Sequence, residues 1–168
     1  EDDRELAAFL QRAIGYTLGG EVSEQCFFFI FGPGCNGKSV FLDVTSRLLG
    51  DYACIAAPES FMKRLGTSGS GPREDIVRLK GKRLVVVNEL GEDERFNEVF
   101  MKQITGGDKI IGRIPHAKSS VEYTPQGKLW FAGNHQPYIY GVDTGIWRRV
   151  ILVPFGADFS HRRDPKLV

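Results

Sequence analysis

An α/β domain with a largely parallel sheet flanked by helices is the fold this sequence predicts, and three observations predict it. Continuous apolar runs of strand length, bounded by Gly, Pro or polar residues, occur at Cys26 to Phe31, Leu84 to Val87, Leu129 to Ala132 and Val150 to Val153. Such runs mark strands covered on both faces. Segments of helical periodicity alternate with them, as in parallel α/β folds. The 168 residues, 42% hydrophobic and 26% charged, suffice for one core and exclude both a disordered chain and two large domains.

Leu6, Phe9, Leu10, Ala13 and Ile14 recur at helical spacing behind Asp2 and Asp3, with a stop between Gly15 and Gly20. The first apolar run leads through Gly32-Pro33-Gly34 into a helix over Lys38 to Leu49, with Val40, Phe41, Val44 and Leu48 as its apolar side and Gly50 at its end. Weaker helical stretches at 60–65 and 74–79 flank a Gly/Ser loop at 66–72. After the second run, a helix over Asn97 to Ile104 uses Val99, Phe100 and Ile104 and stops at Gly106-Gly107. Lys109 to Ile114 and Ser120 to Thr124 read as a hairpin around the turn 115–119.

Lys plus Arg (22) nearly balance Asp plus Glu (21), so the net charge of +1 says nothing about polyanionic partners. Its distribution does. Lys102 to Lys128 carries five basic residues against two acidic, and 147–168 the same, whereas Asn88 to Glu98 carries five carboxylates and one Arg. The longest apolar run is far short of the roughly 20 residues that span a bilayer, and no secretory leader opens the chain, so neither a membrane protein nor a secreted precursor is expected. Three scattered cysteines, Cys26, Cys35 and Cys54, suit neither a disulfide framework nor a zinc knuckle, and a reducing, cytoplasmic setting is expected.

Gly32-Pro33-Gly34-Cys35-Asn36-Gly37-Lys38-Ser39 satisfies G-x-x-x-x-G-K-[ST], with the strand before it and the helix after it that a phosphate-binding loop requires. Glycines let backbone N–H groups turn inward around phosphates, and a helix start favours an anion. Lys38 would neutralise phosphate charge and the Ser39 hydroxyl would ligate Mg²⁺, which makes ATP the expected ligand class. A glycine-rich turn that binds nothing does not explain Lys and Ser at these two positions.

Nucleotide hydrolases hold the metal and attacking water at the end of a buried strand, here Leu84 to Val87 followed by Asn88-Glu89. Glu89 is the candidate to polarise water, and Asn88 could reach the metal only through its amide oxygen or a bound water. Asn134 follows the strand Leu129 to Ala132, and if that strand lies beside the first, its amide can donate to phosphate and accept from water. His135 reads as structural.

Taken in order, these motifs resemble the superfamily 3 helicases, specifically the group fused to primases in phages, plasmids and large DNA viruses. The resemblance rests on the phosphate loop, on Gly81-Lys82-Arg83 through Asn88-Glu89, on Lys102-Gln103-Ile104-Thr105-Gly106-Gly107-Asp108, on Lys128 through Asn134, and on Gly145-Ile146-Trp147-Arg148-Arg149 running to Pro154-Phe155. It implies a AAA+-like P-loop core with a β-hairpin insertion, assembled as a homo-oligomeric ring, usually a hexamer, that translocates on single-stranded DNA. Nucleotide sites in that group lie between subunits. Arg149, with Arg148 beside it, matches the arginine finger, and Lys102 a second trans-acting cation. The turn 115–118 matches the channel hairpin, which would set His116 and Lys118 on DNA phosphates with Lys109 and Arg113 at its base.

Asn88 stands where the group often carries a second acidic residue. The resemblance divides the chain into a collar-like helical segment, 1–24, and an ATPase domain, 25–168, of a longer primase-helicase. Two other classes share the phosphate loop: an ATP-driven switch or loader that grips nucleic acid or protein without unwinding, and a small-molecule kinase, which needs no arginine in trans.

Overall fold

Five strands pair in parallel in the order β2-β3-β6-β1-β7. They belong to the sequence of elements α1 (Arg4–Leu18), β1 (Phe27–Phe31), α2 (Lys38–Leu49), β2 (Ala53–Ile55), α3 (Glu74–Val77), β3 (Leu84–Val87), α4 (Glu98–Gly106), β4 (Ile110–Gly112), β5 (Val121–Tyr123), β6 (Lys128–Gly133), α5 (Thr144–Trp147) and β7 (Val150–Pro154). The computed structural model describes residues 3–63, 73–88, 90, 91, 94–115, 117, 119–137, 139, 144–161 and 164.

The apolar strands are covered on both faces because successive side chains point to opposite sides. Phe27 and Phe29 join Val85, Val87, Leu129 and Phe131 in one layer, closed by Phe61, Phe96, Phe100 and Ile104. Phe28 and Ile30 join Leu84, Val86, Trp130 and Ala132 in the other, closed by Ala13, Leu42 and Leu49 of α1 and α2. Aromatic contacts tie the strands sideways: Phe28 stacks on Trp130 at 4.2 Å, and Phe27 meets Phe131 edge-on at 5.5 Å. Burying each such ring contributes about 1.5–3 kcal/mol.

α1 begins at the cap Asp3, whose carboxylate accepts from Leu6 N at 2.9 Å, and runs through Gly15 to Leu18. It packs on the sheet, where Trp130 Nε1 donates to Thr17 Oγ1 at 3.0 Å. α2 spans the predicted residues, but the expected inner face is corrected. Its buried stripe is Lys38, Leu42, Thr45 and Leu49, whereas Val44 and Leu48 are 50% and 73% exposed. Thr45 is accommodated inside because its hydroxyl donates to Phe41 O at 2.7 Å. In α4, capped by Asn97, Val99 likewise faces outward and Met101 takes the inner position.

The hairpin forms from β4 and β5, shorter than expected, and lies on the α3 side. A Cβ on Gly112 would meet Val77 Cγ2 at 2.5 Å, and Tyr123 Oη donates to Ile76 O. The helix expected over 74–79 is regular only over α3, and a 3-10 turn, Pro58–Ser60, precedes residues 64–72, which lie outside the description. β2 escapes the sequence reading because an edge strand of three residues, two half-buried and Ile55 exposed, has no apolar alternation to show.

Candidate functional site

β1 is the strand at which the connection pattern reverses: the chain leaves it for the far edge at β2 and returns to both of its sides as β6 and β7. Crevices at such points, beyond the carboxyl ends of the strands, are where open parallel sheets bind ligands. Register places three chain ends together, since Phe31 is opposite Gly133 on one side and Pro154 on the other. The loop Gly32–Ser39 therefore emerges between Asn134, exposed at the end of β6, and Phe155.

The loop is built around Lys38. Its side chain is 8% exposed, and Nζ donates to three neutral oxygens, Gly32 O at 2.6 Å, Pro33 O at 3.2 Å and Asn36 Oδ1 at 3.0 Å. Burial lowers its pKa. Among the described residues its partners are all neutral dipoles, and an anion arriving at the loop would give the ammonium an opposite charge. Gly37 has φ +87° and caps α2, while Ser39 is exposed on the first turn. Gly32 has φ +147°, and a Cβ there would lie 2.1 Å from Phe155 O and 2.6 Å from Asn36 Nδ2. Only glycine fits.

Asn36, 4% exposed, links the two sides of the loop. Its amide oxygen accepts from Lys38 and its Nδ2 donates to Phe155 O at 2.7 Å. Sequence reasoning assigned Asn36 to the loop by position but had no signal for Phe155 as its partner, 119 residues away. These residues fit a polyphosphate: a buried cation whose partners among the described residues are neutral, a glycine that leaves no room for a side chain, and a helix start with the exposed Ser39 on its first turn.

Val87, Phe131 and Phe29 share one row across β3, β6 and β1, so Asn88 extends from the same end of the sheet as the loop, separated from β1 by β6. Asn88 is exposed. Glu89 lies outside the described residues. Leu90 stays attached to β6, its N donating to Ala132 O, and a pocket at this end is lined by Leu90, Gly91, Glu94, His135, Gln136 and Pro137.

The two arginines at 148 and 149 point in opposite senses. Arg149 is 8% exposed: Nε donates to Gly145 O at 3.1 Å, Nη1 to Gln25 O at 3.2 Å and to Thr105 Oγ1 at 3.1 Å. It joins α5, the entrance of β1 and the end of α4. Arg148 is exposed, with Nη2 donating to Gln25 Oε1 at 2.8 Å. Lys102 is half-buried on α4, which packs against α5, and Trp147 there is 47% exposed.

On the hairpin, Lys109 Nζ pairs with Glu122 Oε1 at 2.7 Å, and Arg113 is exposed with Ile111 and Ile114 at 64% and 40% exposure. His116 and Lys118 lie outside the described residues. Lys128, counted with this basic stretch in the sequence, belongs to the interior. It is 2% exposed, its Nζ donates to Gly19 O at 2.6 Å and lies 4.4 Å from the centre of the Tyr16 ring, and desolvation lowers its pKa to about 8.

Together the fold and loop define an α/β domain with a parallel five-stranded sheet and a glycine-rich strand-to-helix turn enclosing a lysine. The chain belongs to the family described as "Family of unknown function (DUF5906)", whose model matches residues 30–149. It is 31% identical over 95% of its length to "Putative helicase L207/L206" of Acanthamoeba polyphaga mimivirus, and 31% identical over 90% to "Putative helicase 022R" of Frog virus 3. It is 25% identical over 86% of its length to "Putative primase C962R" of African swine fever virus. The chain spans only 15–16% of the length of these relatives. Among solved structures, the apo C-terminal region of NrS-1 shares the fold with a TM-score of 0.63 at 13% identity, over 86% of this chain and 33% of that one. Among the described residues no helix is long and apolar enough to cross a membrane.

Proposed function

We propose that this chain is the ATP-hydrolysing core of a replicative DNA helicase of the superfamily 3 type, a AAA+-like P-loop domain within a longer viral helicase-primase. The observation that carries the reading is the Lys38 ammonium buried inside the Gly32–Ser39 loop at the end of the central strand, with Asn134 following the neighbouring strand. The names of the viral relatives support the same class.

In this reading backbone N–H groups of the loop and Lys38 hold the β- and γ-phosphates of ATP, and Ser39 carries Mg²⁺ with Asn88 near the metal. Glu89 polarises the attacking water and Asn134 orients it. Arg148, the outward member of its pair, reaches the nucleotide of the next subunit in a hexameric ring together with Lys102, while Arg149 holds Arg148 in place from inside. A cation supplied by a neighbour makes hydrolysis wait for assembly. Lys109, Arg113, His116 and Lys118 carry single-stranded DNA without sequence readout. A primase region elsewhere in the same chain and a host-cell cytoplasmic setting complete the proposal.

A second reading, an ATP-driven switch or loader that does not unwind, is favoured by one observation: Glu122 already neutralises Lys109 at the base of the hairpin. Titrating single-stranded DNA into the protein at ring-forming concentration, and measuring ATP turnover per subunit, separates the two. Stimulation by DNA supports the helicase, whereas turnover indifferent to DNA moves the assignment to the switch.

A further inference from the structure

We propose that Phe159 is the nucleobase platform of the nucleotide site, a reading that rests on the Gly32–Ser39 loop being a polyphosphate cradle. After β7 the chain does not leave the sheet but folds back over this loop and is tied to it at both ends. Phe155 N donates to Phe31 O at 2.7 Å, Asn36 Nδ2 donates to Phe155 O at 2.7 Å, and Phe159 N donates to Cys35 O at 2.8 Å. Asp158 Oδ1 accepts from Ser160 N at 2.8 Å and turns the chain directly after the aromatic residue.

The two phenylalanines of this segment are used differently. Phe155 turns inward, its ring 5.8 Å from that of Phe41. Phe159 keeps 45% of its surface exposed, and its Cε2 lies 3.7 Å from where a Cβ on Gly37 would stand. A phenyl ring placed where it would touch a side chain at Gly37, the residue that opens α2, cannot hydrogen-bond a phosphate, and left bare it exposes apolar surface to water. What it offers is a flat π-face beside an anion cradle. A nucleotide is the ligand that joins the two complementary parts, a phosphate chain and an aromatic base, and stacking accepts any base because each has a π-face.

The test compares Mg²⁺-dependent equilibrium binding of ATP, GTP and inorganic tripolyphosphate to the wild-type chain and to Phe159→Ala, Phe159→Trp and Lys38→Ala. Phe159→Ala is expected to weaken ATP and GTP alike by about tenfold and leave tripolyphosphate unchanged, and Phe159→Trp to restore both nucleotides. Unchanged ATP binding in Phe159→Ala, or an equal loss for tripolyphosphate, overturns the platform. Lys38→Ala keeps the two levels apart. If it weakens all three ligands while Phe159→Ala weakens none, the cradle stands and the platform falls. If it weakens none, both fall.

Discussion

Arg149 Nη1 donates to Thr105 Oγ1 at 3.1 Å across 44 residues of chain, so the Thr-Gly-Gly-Asp segment at the end of α4 and the arginine pair behind α5 are one structural unit. Thr105 in turn donates to Met101 O at 2.6 Å, which fixes its hydroxyl as an acceptor for the guanidinium. The buried member of the pair is thereby engaged in the fold, while the exposed member stays at the surface with Nη2 donating to Gln25 Oε1. Arg149→Ala should then destabilise the chain by about 2–4 kcal/mol, because several oxygens lose a charged donor and an interior void forms. Arg148→Ala should leave the thermal midpoint within about a degree and abolish ATP turnover in assembled rings. Equal melting losses for the two variants in calorimetry would argue against this division.

Replacing Lys38 by Met keeps most of the buried stem and removes the ammonium. Nucleotide binding should fall by at least tenfold while stability is held or slightly raised, since among the described residues the charge sits with neutral dipoles in a partly desolvated site. Isothermal titration with ATP beside urea unfolding measures both, and a large drop in stability with intact binding would contradict the assignment.

Gly32→Ala should cost more than an ordinary loop substitution. The residue has φ +147°, and the new methyl would stand 2.1 Å from Phe155 O. Strain of about 1–3 kcal/mol, together with displacement of the segment after β7, is expected. Limited proteolysis should cut that segment faster in the variant than in the wild type, whereas Gly34→Ala, with open space around it, should behave as wild type.

Lys128 predicts a pH dependence of stability with a definite sign. Its folded pKa is lowered to about 8 from the ordinary 10.5, chiefly by desolvation. Between those values the unfolded chain holds the proton and the folded chain does not, so stability from this group rises as pH increases from 8 to 10.5, by on the order of 3 kcal/mol, and is flat below 8. The difference in unfolding free energy between wild type and Lys128→Met, followed over this range, should change by that amount; a constant difference would mean that Lys128 keeps its proton in the fold.

Local pattern made much of the architecture legible. The four apolar runs became the inner strands and β7, and the helix over Lys38 to Leu49 has the predicted bounds, because a strand buried on both faces and a glycine-flanked helical period leave marks in consecutive residues. The loop Gly32–Ser39 was legible as a strand-to-helix turn for the same reason: its glycines and Lys38 lie within eight neighbouring residues. Face assignments were less so, as Val44, Leu48 and Val99 show, because a helix that carries apolar residues on two sides is oriented by what it packs against rather than by its own period.

What the sequence by itself determined is the order of the four long apolar strands and the helix between Lys38 and Leu49, the parallel sheet and the lysine-bearing loop at the end of the first strand. Only the tertiary structure decided that β6 inserts between β1 and β3, that Arg149 and Lys128 are interior cations while Arg148 faces outward, and that Phe155 and Phe159 close back over the loop. These depend on contacts between residues up to 124 positions apart, where the balance of desolvation against hydrogen bonding is set by the assembled neighbours and leaves no periodic trace in the chain.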